Sequence, residues 1–196
     1  MYLGEEMSMT ESFGPEIKSG YIRIFEEGNP GNQLYCGKNV IANGASWLFA
    51  RMFANISEPQ SGVWGLAIGA GDSTWPSNNQ PDALPIQTGI ISPIMRKPLS
   101  SAKFVDSSFN QVALSNLVDF QTVLNSTTDN ILSPIREMGL IGGGNSTTDM
   151  MDQINTPLFD PTAPDNSHAV LINYKTLPPL LLPAGVNFTM SWILTF

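Results

Sequence analysis

The strongest pattern of apolar and polar positions lies at the C-terminal end of the chain. Between 186 and 196, Val186, Phe188, Met190, Trp192, Leu194 and Phe196 share one parity. Asn187, Thr189, Ser191 and Thr195 share the other, with Ile193 the single apolar exception. A period of two sends alternate side chains to opposite faces of a sheet, so this stretch predicts a long strand with one apolar face. At ~3.3 Å per residue it would span about 36 Å. With ~1.5–3 kcal/mol gained for each side chain buried, it would supply much of the core. Its place at the end of the chain predicts that it closes the fold.

Upstream, 21–26 and 33–42 read as two strands, and the turn formers at 28–32 predict a hairpin between them. Asn43 then reads as the N-cap of a helix over 44–55, where Trp47, Leu48, Met52 and Phe53 recur at helical spacing. A mostly buried strand over 63–69, with Ile68 in it, runs into a turn-rich loop at 70–81 that carries Trp75. Weaker strands follow at 94–98 and 103–106. Residues 111–124 alternate through Val112, Leu114, Val118, Phe120, Thr122 and Leu124. The 135–141 segment is largely apolar and ends in three glycines, and 168–175 is the next strand. Leu177–Leu182, split by Pro178 and Pro179, carries no strand prediction.

Many short strands, one short α-helix and frequent Gly and Pro predict a mainly β chain, an antiparallel β-sandwich or jelly-roll-like domain. Residues 1–20 have little periodicity and predict an arm, extended or docked on a neighbour. The 21–196 remainder is long enough for a single domain. Its predicted core contains Trp47, Ile68, Phe188, Met190, Trp192, Leu194 and Phe196.

Charge narrows the partners. Nine Lys and Arg against seventeen Asp and Glu give a net charge of −8. Phosphate backbones and anionic lipid surfaces are bound mainly through Lys and Arg, so neither nucleic acid nor a membrane surface is expected as a partner. No apolar run reaches the ~18–20 residues of a membrane helix. The acidic start Met1-Tyr-Leu-Gly-Glu-Glu lacks the basic residues and apolar run of a signal peptide.

Candidate chemistry is sparse. A single cysteine, Cys36, excludes an internal disulfide, and with the single histidine, His168, it leaves no multi-thiolate or His-pair metal motif. His168 has no Ser or Cys partner in a recognisable motif, so no catalytic residue, cofactor or metal is expected. Gly69-Ala-Gly71 and the glycines at 142–144 resemble fragments of phosphate-binding loops, but neither is followed by Lys-Ser/Thr. Turns with positive φ explain them more simply. Glu137 interrupts an otherwise largely apolar strand. Buried, it demands a partner, for which Arg96 is the candidate in an ion pair; the alternative is a solvent-facing acid on a one-sided strand. Trp75, with Asn and Asp nearby, suits stacking on a host glycan, although a lone loop Trp more often packs on its own domain. The pentapeptide Asn-Ser-Thr-Thr-Asp occurs twice, at 125–129 and 145–149, flanking the Glu137 strand.

Four segments, in order, carry a resemblance. Asn39-Val-Ile-Ala-Asn43-Gly44 precedes the helix, and Ala67-Ile-Gly-Ala-Gly71 ends a strand. Ile135-Arg-Glu-Met-Gly-Leu-Ile141 follows, and the chain ends on Thr189-Met-Ser-Trp-Ile-Leu-Thr-Phe196. Together they resemble a family of small structural proteins of tailed bacteriophages and prophages, over roughly 39–196. Departures are the first 38 residues, longer loops at 70–92 and 142–168, and Ser191 in place of a second Thr. The resemblance implies a non-enzymatic β-sandwich component of the virion, in tail, neck, baseplate or an attached fibre. Such a protein would work as a homo-oligomer or as repeated copies among other virion proteins. The same fold would serve a capsid decoration protein, and host-glycan recognition through the Trp75 loop is a third reading.

Overall fold

The computed structural model describes residues 19–53, 62–78, 80–144 and 169–196. The expected arm therefore lies almost wholly outside the described residues, as do His168 and the second Asn-Ser-Thr-Thr-Asp copy. The elements in chain order are β1 (Ser19–Glu26), β2 (Asn29–Ile41), α1 (Gly44–Phe53), β3 (Val63–Gly69), β4 (Pro93–Pro98) and β5 (Ser101–Phe104). They continue with β6 (Leu117–Asn125), β7 (Ile135–Gly142), β8 (Val170–Leu171), β9 (Asn173–Leu180) and β10 (Asn187–Thr195). Among the described residues, mainly β structure with one short helix is as expected.

All pairings between the strands are antiparallel, in the order β4-β3-β7-β9-β2-β1-β10-β6-β5, with β8 added to β7. Two features curl this sheet upon itself. Among the described strands, its halves are laddered together only where Val40 pairs with Tyr174 and Ile41 with Asn173. Its two outermost strands, β4 and β5, are consecutive in the chain, and the two residues between them reach at most about 7 Å. Those residues bond to both halves: the Leu99 amide donates to Trp64 O and the Ser100 amide to Gln121 O. Hydrogen bonding thus traces one curled sheet, which does not establish the separate sheets of a sandwich or a jelly roll.

The curl encloses the main core. Ile22, Ile24, Phe188, Met190, Trp192 and Leu194 from one half meet Leu66, Ile68, Met138 and Leu140 from the other, with Leu48 of α1. Trp47 and Phe196 are half-buried against this cluster, and Phe196 meets Phe49 of α1 edge-on at 6.1 Å between ring centroids. All seven expected core residues therefore pack into it. A second, smaller cluster of Ala42, Ala67, Ile141, Ala169, Leu171 and Tyr174 is completed by Ala83 and Ile90 from the 70–92 loop.

Several expectations need correction. β10 does not close the fold. It is central, flanked by β1 and β6, and the Leu99–Ser100 link brings the sheet's ends together. Its polar side is covered too, because the register places Ser191 between Arg23 and Gln121, and Thr189, Ser191 and Ile193 are all buried. β6 begins only at Leu117, leaving Leu114 80% exposed. Upstream of it, Asp106 accepts the Ser108 and Asn110 amides and folds the chain into a turn. Met52 is exposed although its spacing is helical. β9 runs through Pro178 and Pro179, which a strand tolerates where no neighbour needs their N–H.

Candidate functional site: a glutamate clamp on the 70–92 loop

Glu137 is wholly buried on β7, in register with Gly69 of β3. Each of its carboxylate oxygens accepts two hydrogen bonds. Oε1 takes the amides of Gly71 at 3.1 Å and Ser92 at 2.8 Å, and Oε2 takes the Ile91 amide at 3.0 Å and the Tyr174 hydroxyl at 2.7 Å. These amides lie at the two ends of the loop between β3 and β4. One side chain therefore draws both ends of that loop onto β7. The Ala70 amide closes the same base by donating to Ser92 O at 2.8 Å.

The sequence around the clamp is shaped to admit it. A Cβ on Gly69 would stand 2.5 Å from Glu137 Oε1, so only glycine leaves room for the carboxylate. Gly71 adopts φ 69°, a conformation L side chains disfavour, and this aims its amide at Glu137. Both glycines of the Ala67-Ile-Gly-Ala-Gly71 segment thus serve the acid of the Ile135–Ile141 segment. Asn39–Gly44 reaches the clamp as well, since Val40 pairs with Tyr174, whose hydroxyl is the fourth donor.

Arg136, the next residue, does the complementary task. Its Nη2 donates to the carbonyls of Trp75 at 3.2 Å and Pro76 at 2.6 Å, and its guanidinium lies 5.5 Å from the Trp75 ring centroid. A carboxylate collects N–H donors and a guanidinium collects carbonyls, so adjacent residues fix the loop through opposite backbone groups. Thr176 Oγ1 donates to Pro81 O and the Asn43 amide to Pro85 O, which secures the middle of the loop.

The predicted residues fall as follows around this clamp. Glu137 is buried, as an acid requiring partners would be, and the partners described for it are four neutral donors, with Arg96 not among them. Arg96 is itself buried, opposite Ala67, and has contacts of its own. Trp75 is half-buried, with Gly71 against its ring edge and Arg136 near the ring, so it packs on its own domain. Cys36 is exposed on β2. Gly143 and Gly144 adopt φ of 67° and 64°, in keeping with a turn.

The clamp is a structural device. Its carboxylate is saturated and closed to solvent. Burial raises the Tyr174 phenol well above its ordinary pKa of 10.0, and the hydrogen bond to Glu137 and that acid's charge raise it further. Tyr174 thus remains a donor through the neutral range. Among the described residues no group of three His, Cys, Asp or Glu is placed to hold a metal ion. A shallow hollow of about 390 Å³ beside Lys97, Thr122, Asn125 and Asn187 has Lys97 as its charged lining group, already 2.6 Å from Asp129. The first Asn-Ser-Thr-Thr-Asp copy is a self-closed turn: Asn125 Oδ1 accepts the Thr127 and Thr128 amides, and Asp129 Oδ2 accepts the Asn125 amide.

No family model matches the sequence, and no curated protein or solved structure matches it. The resemblance to tailed-phage structural proteins rests on the four ordered segments alone.

Proposed function

We propose that this protein is a non-enzymatic structural component of a tailed-phage virion, in tail, neck, baseplate or an attached fibre. It would act through contacts with copies of itself and with other virion proteins. The observation that carries the reading is the clamp. Three of the four segments behind the resemblance converge on Glu137, and the fourth is the central strand of the main core. Segments joined in one structural unit behave as a fold signature, and their combination supports kinship more than each short motif does.

The work of such a protein is mechanical, and the clamp suits it: a long loop held rigid presents a contact surface without an ordering cost at assembly. Capsid decoration would use the same rigidity at another place on the particle. Host-glycan recognition has less support, since Arg136 already lies near the Trp75 ring. Immunogold labelling of particles from cells that carry the gene tests the proposal. Gold on the tail, neck or baseplate is the expected result. Gold on the capsid would select the decoration reading, and unlabelled particles would overturn both.

A further inference from the structure

Every sheet with ends has strand flanks whose amides and carbonyls lack partners, and such flanks are usually shortened, charged or interrupted by proline. Most flanks here follow that practice. β5 has only four residues, and β4 begins and ends with Pro93 and Pro98. Beyond Tyr174, the flank of β9 facing β2 carries Pro178 and Pro179.

β2 is the exception. It pairs with β1 along one side, but on the other only Val40 and Ile41 meet a strand, which leaves 29–39 bare among the described residues. Bulges disturb the register near the hairpin tip, whereas 35–39 run in unbroken register with Gly20–Ile24. Pro30 lies at the tip, and Lys38 is the sole charge in 29–39. Among the described strands this flank is thus the longest, and it has the fewest of the features that prevent strand addition.

We propose that two copies of this chain pair antiparallel along the bare flank of β2, about a two-fold axis at Cys36. The occupant follows from charge and shape. At a net charge of −8, copies of this chain repel one another over most surfaces, and this flank carries no acid. A two-fold at Cys36 sets Lys38 opposite Leu34 of the second copy, so no like charges face each other. It sets Tyr35 opposite Gly37, which has no side chain to obstruct the ring; within one copy the Tyr35 hydroxyl already leans over Gly37. Cys36, exposed and the only cysteine, then lies beside its counterpart.

This inference deepens the assembly reading and rests on it only for the existence of contacts between copies. Sedimentation of the full chain is the test, with Cys36→Ser and Cys36→Glu as variants and circular dichroism as the check on folding. Wild type and Cys36→Ser are expected to dimerise, and Cys36→Glu, which sets two carboxylates face to face, to dissociate at least ~10-fold more readily. Diamide oxidation of the wild type should give a disulfide-linked dimer when carried out in buffer and none when carried out in urea, where the strands cannot pair, a reading that stands even if Cys36→Glu fails to fold. A wild type monomeric at hundreds of micromolar, or one that diamide does not cross-link, overturns the proposal. So does a dimer indifferent to Cys36→Glu. Monomeric protein that still decorates particles would overturn this pairing and leave the virion reading intact.

Discussion

Strands β10 and β7 are both buried along most of their length, yet different forces hold them. β10 presents Phe188, Met190, Trp192 and Leu194 to the main core, while its other face sets Thr189, Ser191 and Ile193 between residues of β1 and β6. β7 gives Met138 and Leu140 to that core, but its opposite face carries Glu137, whose four donors come from three other segments. Apolar burial is non-directional and spread over many contacts, so it survives local imperfection. A buried carboxylate is directional, and each donor deprived of it stays buried and unsatisfied. One strand is secured by area, the other by satisfaction of a few polar groups.

That contrast can be broken most forcefully at β10. Trp192→Asp puts an unpaired charge where a wholly buried ring stood, with an expected loss above about 5 kcal/mol and no soluble folded protein. Recovery of soluble variant with wild-type circular dichroism would remove β10 from the core. Next comes Glu137→Ala, which strands three amides and a phenol. Urea denaturation should show a loss of about 3–5 kcal/mol, with protease cleavage appearing inside 70–92. A loss under 1 kcal/mol would mean that the loop is held without its acid.

Tyr174→Phe sharpens the comparison by removing one donor in four, at about 1–2 kcal/mol near neutral pH. It also has a pH signature. Because the folded phenol titrates above its ordinary value of 10.0, the unfolded chain loses its proton first as pH rises. The stabilisation is therefore complete below pH 10 and falls above it, and denaturation midpoints measured from pH 8 upward should decline less in Tyr174→Phe. The smallest effect is expected at Lys97→Ala. Its partly exposed ion pair with Asp129 is worth about 0–1 kcal/mol, and Asp129 still accepts the Asn125 amide.

Legibility in the sequence follows the same division. The parity of 186–196 reveals β10, because a strand with an enclosed face must alternate. The same rule misleads at Val112 and Leu114, where a turn anchored by Asp106 bends the chain before β6 starts. Pro178 and Pro179 look like strand breakers, yet they lie where β2 has already diverged from β9. For the clamp, an acid inside an apolar strand signals burial and the need for partners. Its actual partners are silent in the sequence, since three are backbone amides 45 or more residues away and any residue type could supply them.

By itself the sequence determined the β-rich class, the main core side chains, the α1 helix and the demand that Glu137 be satisfied, because each depends on side-chain type and local period. Tertiary structure alone decided that β10 is central, that two residues between β4 and β5 draw the sheet into a curl, and that Glu137 fastens a loop. Those outcomes depend on which distant backbone groups become neighbours, and backbone amides and carbonyls are chemically alike along the chain.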